Sequence, residues 1–380
     1  MTHSIYLDNN ATTKMLPEVA TAMATSLAAG YLNPSSQHSS GRRARNVIET
    51  AREGIAKLLG ASLYAPNQDS LVFTSGATEA NNLAIRGLVS QPGTVLVSAI
   101  EHPSVLAACD TLKTIGCDVK EIPVTDSGHV SVDDVRKSLT FDTRLVVIML
   151  GNNEIGTLQP ISEISDLCAE KRVPLHCDGV QAIGKIPVNF AELGVSTLAF
   201  SAHKFHGPRG IGGLLIRHHV TVAPLIVGGA QQLGIRPGTE AVASAVGMHT
   251  ALKLVDADAQ DQAIRMTLLR DRLWTALSAD KKCALNGGPP WLPHTLNVSF
   301  CGIDRQALVM ALDLAGVECS TGSACTSGSS EPSHVLLAMK ASEARVYSSI
   351  RFSVSRLTTE SEIDSASDRI LNAINKLRNQ

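Results

Sequence analysis

The sequence predicts an α/β protein: a large domain built on a mostly parallel, buried sheet, followed by a smaller α+β domain. Three observations carry this. The chain has 380 residues, more than the roughly 100–200 of one ordinary domain. Short β-rich runs alternate with amphipathic stretches of helical period, the pattern of βα units. The runs are apolar on consecutive positions, as strands covered on both faces must be.

The strand-like runs are Ser70–Thr74, Thr94–Ser98, Asp118–Ile122, Leu145–Leu150, Val173–Cys177, Thr197–Ser201 and Gly213–Ile216. Helical patterns such as Thr78–Leu88 and Ile161–Lys171 lie between them. From about Ala241 the texture changes. One long helical stretch, Ala243 to roughly Ala279, precedes a strand at Leu296–Phe300, a Ser/Gly-rich segment, a strand at Ser349–Val354 and a final helix at Glu360–Leu377. There is no internal repeat and no heptad pattern.

Composition excludes several function classes. Hydrophobic residues make up 44% and charged residues 18%, enough to build a core and too apolar for disorder. The 33 basic and 35 acidic residues nearly cancel, which argues against nucleic acid as the main partner. No apolar run approaches the roughly 20 residues of a membrane span. The first residues have neither the basic region nor the apolar core of a secretory signal. The 8 cysteines form no Cys-x-x-Cys pair, so neither a disulfide framework nor a zinc knuckle is indicated. The expectation is a soluble, cytoplasmic enzyme with no membrane or direct nucleic-acid partner and no metal.

In parallel α/β sheets ligands bind where strands end and helices begin. Three such places stand out. Phe73-Thr-Ser-Gly-Ala-Thr-Glu79 closes a strand and opens a helix, whose free N–H groups and dipole suit a phosphate; the same residues also make an ordinary helix cap. Asp178 ends an apolar strand, as a helix cap or as the partner of a cationic ring nitrogen. Phe200-Ser-Ala-His-Lys204 delivers a lysine between an apolar strand and a Gly-Pro turn, where desolvation makes the amine a nucleophile or base. His203 and His206 lack acidic or cysteine partners at metal-ligand spacing. A phosphate cup, an acid and a lysine together suit pyridoxal phosphate. The acid keeps the ring nitrogen protonated and the lysine holds the aldehyde carbon.

A fourth feature is the segment Ser320–Ser330, in which nine of eleven residues are Ser, Thr or Gly and the exceptions are Ala324 and Cys325. Such composition gives a flexible linker, with an incidental cysteine or with a thiol to deliver. Extended at ~3.3–3.6 Å per residue, the stretch from Cys325 to Pro332 spans at most roughly 20–25 Å.

The chain resembles the pyridoxal-phosphate-dependent cysteine desulfurases of the NifS/IscS type nearly end to end. The likeness rests on Tyr6-Leu-Asp-Asn-Asn-Ala-Thr-Thr13, Asn33-Pro-Ser-Ser-x-His38, Thr74-Ser-Gly-Ala-Thr-Glu79, Glu101-His-Pro103 and Asn152-Asn-Glu-Ile-Gly156. It continues with Asp178-Gly-Val-Gln181, Ser201-Ala-His-Lys204, Arg236-Pro-Gly-Thr-Glu240 and Ser323-Ala-Cys-Thr326. Each motif is weak alone; nine in order are specific.

The resemblance implies the fold-type-I architecture of pyridoxal-phosphate transferases with a seven-stranded sheet. The large cofactor domain would span 15–250. The smaller domain would combine 1–14 with 251–380 and carry the cysteine loop at about 319–332. The resemblance also implies a homodimer. Lys204 would tether the cofactor, Asp178 would pair with its ring nitrogen, Gln181 would contact its phenolic oxygen and His102 would stack on its face and move protons. Ala77, Thr78, Ser201 and His203 would hold the phosphate, with Thr239 reaching over from the partner subunit. Asn153 and Arg351 would bind the substrate carboxylate, helped by Asn33; arginine's planar fork matches a carboxylate. Cys325 would take sulfur from L-cysteine as a persulfide, leave L-alanine, and pass the sulfur to an acceptor protein, an iron–sulfur scaffold or a sulfur relay. Cys319 would be a resolving thiol or a buried structural residue. A selenocysteine lyase, another C–S lyase or an aminotransferase of the same fold is the alternative.

Overall fold

The computed structural model describes residues 4–64, 66–322 and 331–379. Among these, seven strands form one sheet in the order Ser70–Thr74, Gly212–Ile216, Thr197–Ser201, Leu175–Asp178, Thr143–Val147, Thr94–Ser98, Asp118–Ile122. Every pair is parallel except the two made by Gly212–Ile216, which runs antiparallel to both neighbours.

Side chains alternate across the pleat, and both faces are buried except on the edge strand Asp118–Ile122, where only Ile122 is buried. Leu96, Val146, Ile148, Leu198 and Phe200 point into one core, while Val95, Val97, Leu145, Val147, Ala199 and Leu214 point into two clusters on the other face. That is why the strands read as unbroken apolar runs.

The strand beginning near Val173 starts instead at Leu175. The Val173 N–H caps the preceding helix at the Cys168 carbonyl, and Pro174 has no N–H to donate. The run Leu145–Leu150 is a strand over Thr143–Val147, and the Ile148 and Leu150 N–H groups still donate to the His176 and Asp178 carbonyls. The single long helix expected after Ala243 is two, Val242–Asp256 and Ala259–Leu277. The chain leaves helical geometry at Asp258 (φ −134°), whose carboxylate accepts from Arg356 at 2.8 Å and from Gln262 at 3.0 Å.

A second core gathers Ile5, Leu7, Leu273, Val298, Phe300, Leu308, Ile350, Phe352 and Ile370 around an antiparallel sheet ordered Ser349–Ser353, Thr295–Phe300, Cys283–Leu285. Ile5–Tyr6 pairs in parallel with Val317–Glu318, which ties the chain start into this core. Val335, Leu336, Met339 and Val346, far along the chain, pack into the first core instead.

One close approach shapes the site. A Cβ built on Gly212 would lie 2.7 Å from the Gly76 carbonyl carbon and 2.7 Å from the Phe200 carbonyl oxygen, both backbone atoms that cannot step aside. Gly212 thus lets the 74–77 turn lie against the sheet edge. Gly212→Ala is expected to destabilise the protein by about 1–3 kcal/mol, the usual effect of overpacking. Chemical denaturation checks this.

Candidate active site

The carboxyl ends of the strands open onto a cavity of about 520 Å³ lined by Ala77, Thr78, His102, Asn153, Asp178, Gln181, Ser201, His203 and Lys204. Nine positions singled out from the sequence thus meet in one place. Ala11 and Thr12 enter the cavity from the chain start, and Ser75, Gly76 and Glu79 from the turn that leads into the helix Ala77–Leu88.

The helix Ala77–Leu88 begins at the cavity wall after Gly76. Its first N–H groups have no carbonyl partner within the helix, so they form an anion cup. Glu79, in the first turn, also lines the cavity, with its carboxylate engaged. Its carboxylate accepts from the Ser75 N–H at 2.6 Å and from the Arg236 Nε at 2.8 Å. Burial pushes this carboxyl up, but the bonds from Arg236 and Ser75 outweigh it and hold it below the usual carboxylate range. His203, beside the cup, is held down at about 4 by burial and by the Lys204 charge, so it is neutral near pH 7. Its Nδ1 lies 3.1 Å from the Thr12 hydroxyl.

Asp178 ends its strand with both oxygens engaged. The Val180 N–H donates to Oδ1 at 3.0 Å and Asn81 Nδ2 donates to Oδ2 at 2.8 Å. Asn81 Oδ1 is 3.0 Å from His176 Nε2, and His176 Nδ1 is 2.8 Å from the Thr197 hydroxyl. Burial pushes His176 down to about 3, so the ring is neutral. A neutral ring donating through Nε2 and accepting from Thr197 completes a directed chain that fixes the carboxylate.

His102 caps the helix Pro103–Thr111, its Nδ1 accepting from the Ser104 N–H at 3.1 Å. Burial lowers its basicity, against the opposing pull of Asp178. The neighbouring Glu101 is fully buried and accepts from the Met149 N–H at 2.6 Å; burial raises its carboxyl well above the usual range.

Lys204 closes a short 3₁₀ turn, Ala202–Lys204, directly after its strand. Its Nζ donates to the carbonyls of Asn10 at 2.5 Å and Ala11 at 3.0 Å. Gln181 Nε2 donates to the same Asn10 carbonyl at 3.1 Å.

Arg351 does not line the cavity, but its Nη1 donates to the Asn153 carbonyl at 3.1 Å, and Asn153 does line it. The guanidinium is 3% exposed and paired with Asp8 at 2.7 Å, and its buried Nε has no hydrogen-bond partner among the described residues. Asn33 and Thr239 are not brought to this cavity within one chain. They share a separate one of about 400 Å³, and Asn33 Oδ1 accepts from the Ser35 N–H at 2.9 Å. Cys325 lies outside the described residues. Cys319 packs against the second core, and burial raises its thiol.

Sequence reasoning missed Asn81, His176, Thr197 and the carbonyls of Asn10 and Ala11. Two signals were present: an asparagine on the otherwise apolar buried face of a helix and a histidine inside an apolar strand. The carbonyls carry no side-chain signature at all.

The family model for aminotransferase class-V matches residues 5–365. The chain belongs to the class-V aminotransferase family. Within this family it is 42% identical to a cysteine desulfurase IscS of Dictyoglomus turgidum, covering 100% of this chain and 96% of that one. It is 43% identical to a cysteine desulfurase of Trichormus azollae, covering 98% of this chain and 94% of the relative. A solved NifS-like protein of Rickettsia africae superposes with a TM-score of 0.89 at 33% identity, covering 98% of this chain and 100% of that one.

Class-V aminotransferases of this kind use pyridoxal 5′-phosphate, and the donor set here fits it. The cavity offers a helix N-terminus with Thr78 and Ser201 at one end, a carboxylate held by Asn81 and Val180 at another, and an amine between them. Among the described residues no helix is long and apolar enough to cross a membrane.

Proposed function

We propose that the chain is a pyridoxal-phosphate-dependent cysteine desulfurase, converting L-cysteine to L-alanine and passing the sulfur to an acceptor protein. The observation that carries this is the gathering of Lys204, Asp178 and the helix N-terminus at Ala77 in one cavity, with the root of the Cys325 segment beside it. At that root the Gly322 carbonyl lies 3.5 Å from Arg351 Nη1, the nitrogen that also binds the Asn153 carbonyl. Aminotransferases and β-lyases of this fold have no use for a thiol delivered to that place.

The bound cofactor supplies an electron sink for the carbanion at the substrate's α-carbon. Ala77, Thr78, Ser201 and His203 hold its phosphate, and Gln181 its phenolic oxygen. Asp178, fixed by Asn81, favours a proton on the ring nitrogen. His102, which lines the cavity, would stack on the ring and move protons. Arg351 and Asn153, with Asn33, receive the substrate carboxylate. Lys204 Nζ would tether the cofactor, and its amine would accept the substrate's α-proton. The Cys325 thiolate attacks the substrate sulfur; a sulfur–sulfur bond forms as the carbon–sulfur bond breaks, leaving a persulfide on Cys325 and alanine as the organic product.

The functional unit in this reading is a homodimer in the cytoplasm. Thr239 would complete the partner's phosphate site, consistent with its separation from Lys204 within one chain. The apolar side chains Leu27, Leu32, Val227 and Leu233 are exposed on residues flanking that second cavity and the neighbouring loop, as an unpaired subunit face would be.

The test is product analysis with L-cysteine and the cofactor-loaded protein. Alanine in equal amount to sulfide or persulfide is expected. Pyruvate with ammonia would mark a β-lyase, a keto acid an aminotransferase, and strong preference for selenocysteine a selenocysteine lyase.

A further inference from the structure

Lysines belong in water: the ammonium is strongly hydrated and its burial without a counter-charge is costly. Lys185 breaks this rule. It is 3% exposed, although no reading of the sequence gives it a task.

The chain reaches this place from Asp178 through a tight turn in which the Lys185 N–H donates to the Ala182 carbonyl. Gly184 precedes it with φ +76°, and a Cβ there would lie 2.4 Å from the Phe205 Cβ. The glycine lets the turn press against the 202–206 segment. From that side the Lys185 Nζ donates to the backbone carbonyl of Lys204 at 2.8 Å.

A structural lysine at this depth ordinarily meets a carboxylate. The charges acting on Lys185 are instead Lys204 and Arg356, both positive. Arg356 is itself paired with Asp258 at 2.8 Å. The remaining neighbours are histidines held neutral. His206 has its Nδ1 2.7 Å from the Lys14 carbonyl and is pushed down to about 3 by burial and the Lys185 charge. His294 is fully buried, neither ring nitrogen has a hydrogen-bond partner, and burial with the charges of Lys185, Arg270, Arg351 and Lys204 holds it well down. Nothing among these groups neutralises Lys185.

We propose that Lys185 is a positioning residue for Lys204: it anchors the Lys204 carbonyl from beneath the site and sets a second cation beside the amine that holds the cofactor. The anchor fixes the 3₁₀ turn and with it the direction in which the Lys204 side chain leaves the backbone. The charge acts through space. Two cations disfavour each other, so Lys185 favours the uncharged form of a nitrogen at Lys204 and the reverse holds equally. Burial, Lys204 and Arg356 together bring Lys185 down to about 7, within the working range of an enzyme. A nitrogen at Lys204 kept free of its proton is the form that attacks a carbonyl and accepts a proton from carbon.

The inference rests on the reading that Lys204 holds the cofactor, and the experiment separates the two. Borohydride reduction of the loaded protein followed by peptide mass spectrometry locates the cofactor; attachment at any lysine other than Lys204 overturns that reading. With attachment at Lys204 established, the visible absorption of the loaded protein is titrated with pH in the wild type, Lys185→Met, Lys185→Gln and Lys185→Arg. The expected result is a midpoint raised by roughly one pH unit in Lys185→Met and Lys185→Gln, the scale of a nearby charge, with Lys185→Arg at the wild-type midpoint. Lys185→Gln retains a donor for the carbonyl, so it reports the charge even if Lys185→Met fails to fold. An unchanged midpoint in Lys185→Gln, with the cofactor on Lys204, overturns the inference.

Discussion

Lys204→Ala is expected to yield a folded protein that lacks the visible absorption of a lysine-bound cofactor and turns over L-cysteine at least about 10³-fold more slowly, since it loses both the tether and a general base. The fold should survive. The Lys204 backbone is held independently of its side chain, by the Phe205 and Gly207 N–H groups closing on the Ala202 carbonyl and by Lys185 on the Lys204 carbonyl. What disappears is the amine poised between the Asn10 and Ala11 carbonyls, with Asp178 and the cup in the same cavity. Absorption spectra and single-turnover assays after adding pyridoxal phosphate check this. Retained colour and wild-type turnover would remove Lys204 from the mechanism.

Cys325→Ser should be equally inactive for a different reason. Its cofactor spectrum should match the wild type, because Lys204, Asp178 and the other groups proposed to hold the cofactor are unchanged. Persulfide on the protein and sulfide in solution should both fall to background, because a hydroxyl is almost wholly protonated near neutrality and is a poor nucleophile toward sulfur. Mass spectrometry of the peptide containing Cys325 after exposure to L-cysteine reads the added sulfur directly. Sulfide release at the wild-type rate by Cys325→Ser would mean that another group takes the sulfur. The buried thiols are poor substitutes: burial raises Cys109 and Cys168 to about 12, and Cys177 is fully buried and raised well above its usual range.

The contrast between these variants follows from where each residue stands. Lys204 is fixed to the end of a central strand, and its environment is set by the sheet. Cys325 belongs to a Ser/Gly-rich stretch outside the described residues. Its near root is tied down: the Ser320 N–H donates to the Arg351 carbonyl at 3.2 Å and the Arg351 N–H to the Ser320 carbonyl at 2.6 Å. Its far root is tied at Ser333, whose hydroxyl donates to the Glu154 carboxylate at 2.5 Å. Glu154 and Asn153 are chain neighbours, so both roots connect to the wall of the cofactor cavity.

The central strands were legible because a doubly covered sheet demands apolar residues on both faces of each, and few other structures do; the edge strand Asp118–Ile122 is largely exposed and buries only Ile122. Ser70–Thr74, Thr94–Ser98, Asp118–Ile122 and Thr197–Ser201 stand as the sequence indicated. The displaced boundaries, at Leu175 and Thr143, depended on which carbonyl each N–H finds, a matter of neighbours distant in sequence. The break at Asp258 likewise depended on Arg356, about a hundred positions away.

By itself the chain's order of residues determined the α/β class, the strand-end lysine and acid, and the likeness that names their chemistry, because these depend on local pattern and motif. Only the tertiary structure decided that Asn81 and His176 steady Asp178, that the chain start supplies the carbonyls around Lys204, and that Lys185 is buried beneath it. Those contacts join segments up to 194 positions apart. Burial and hydrogen-bond geometry arise from the packing of the whole chain, which no local stretch of sequence records.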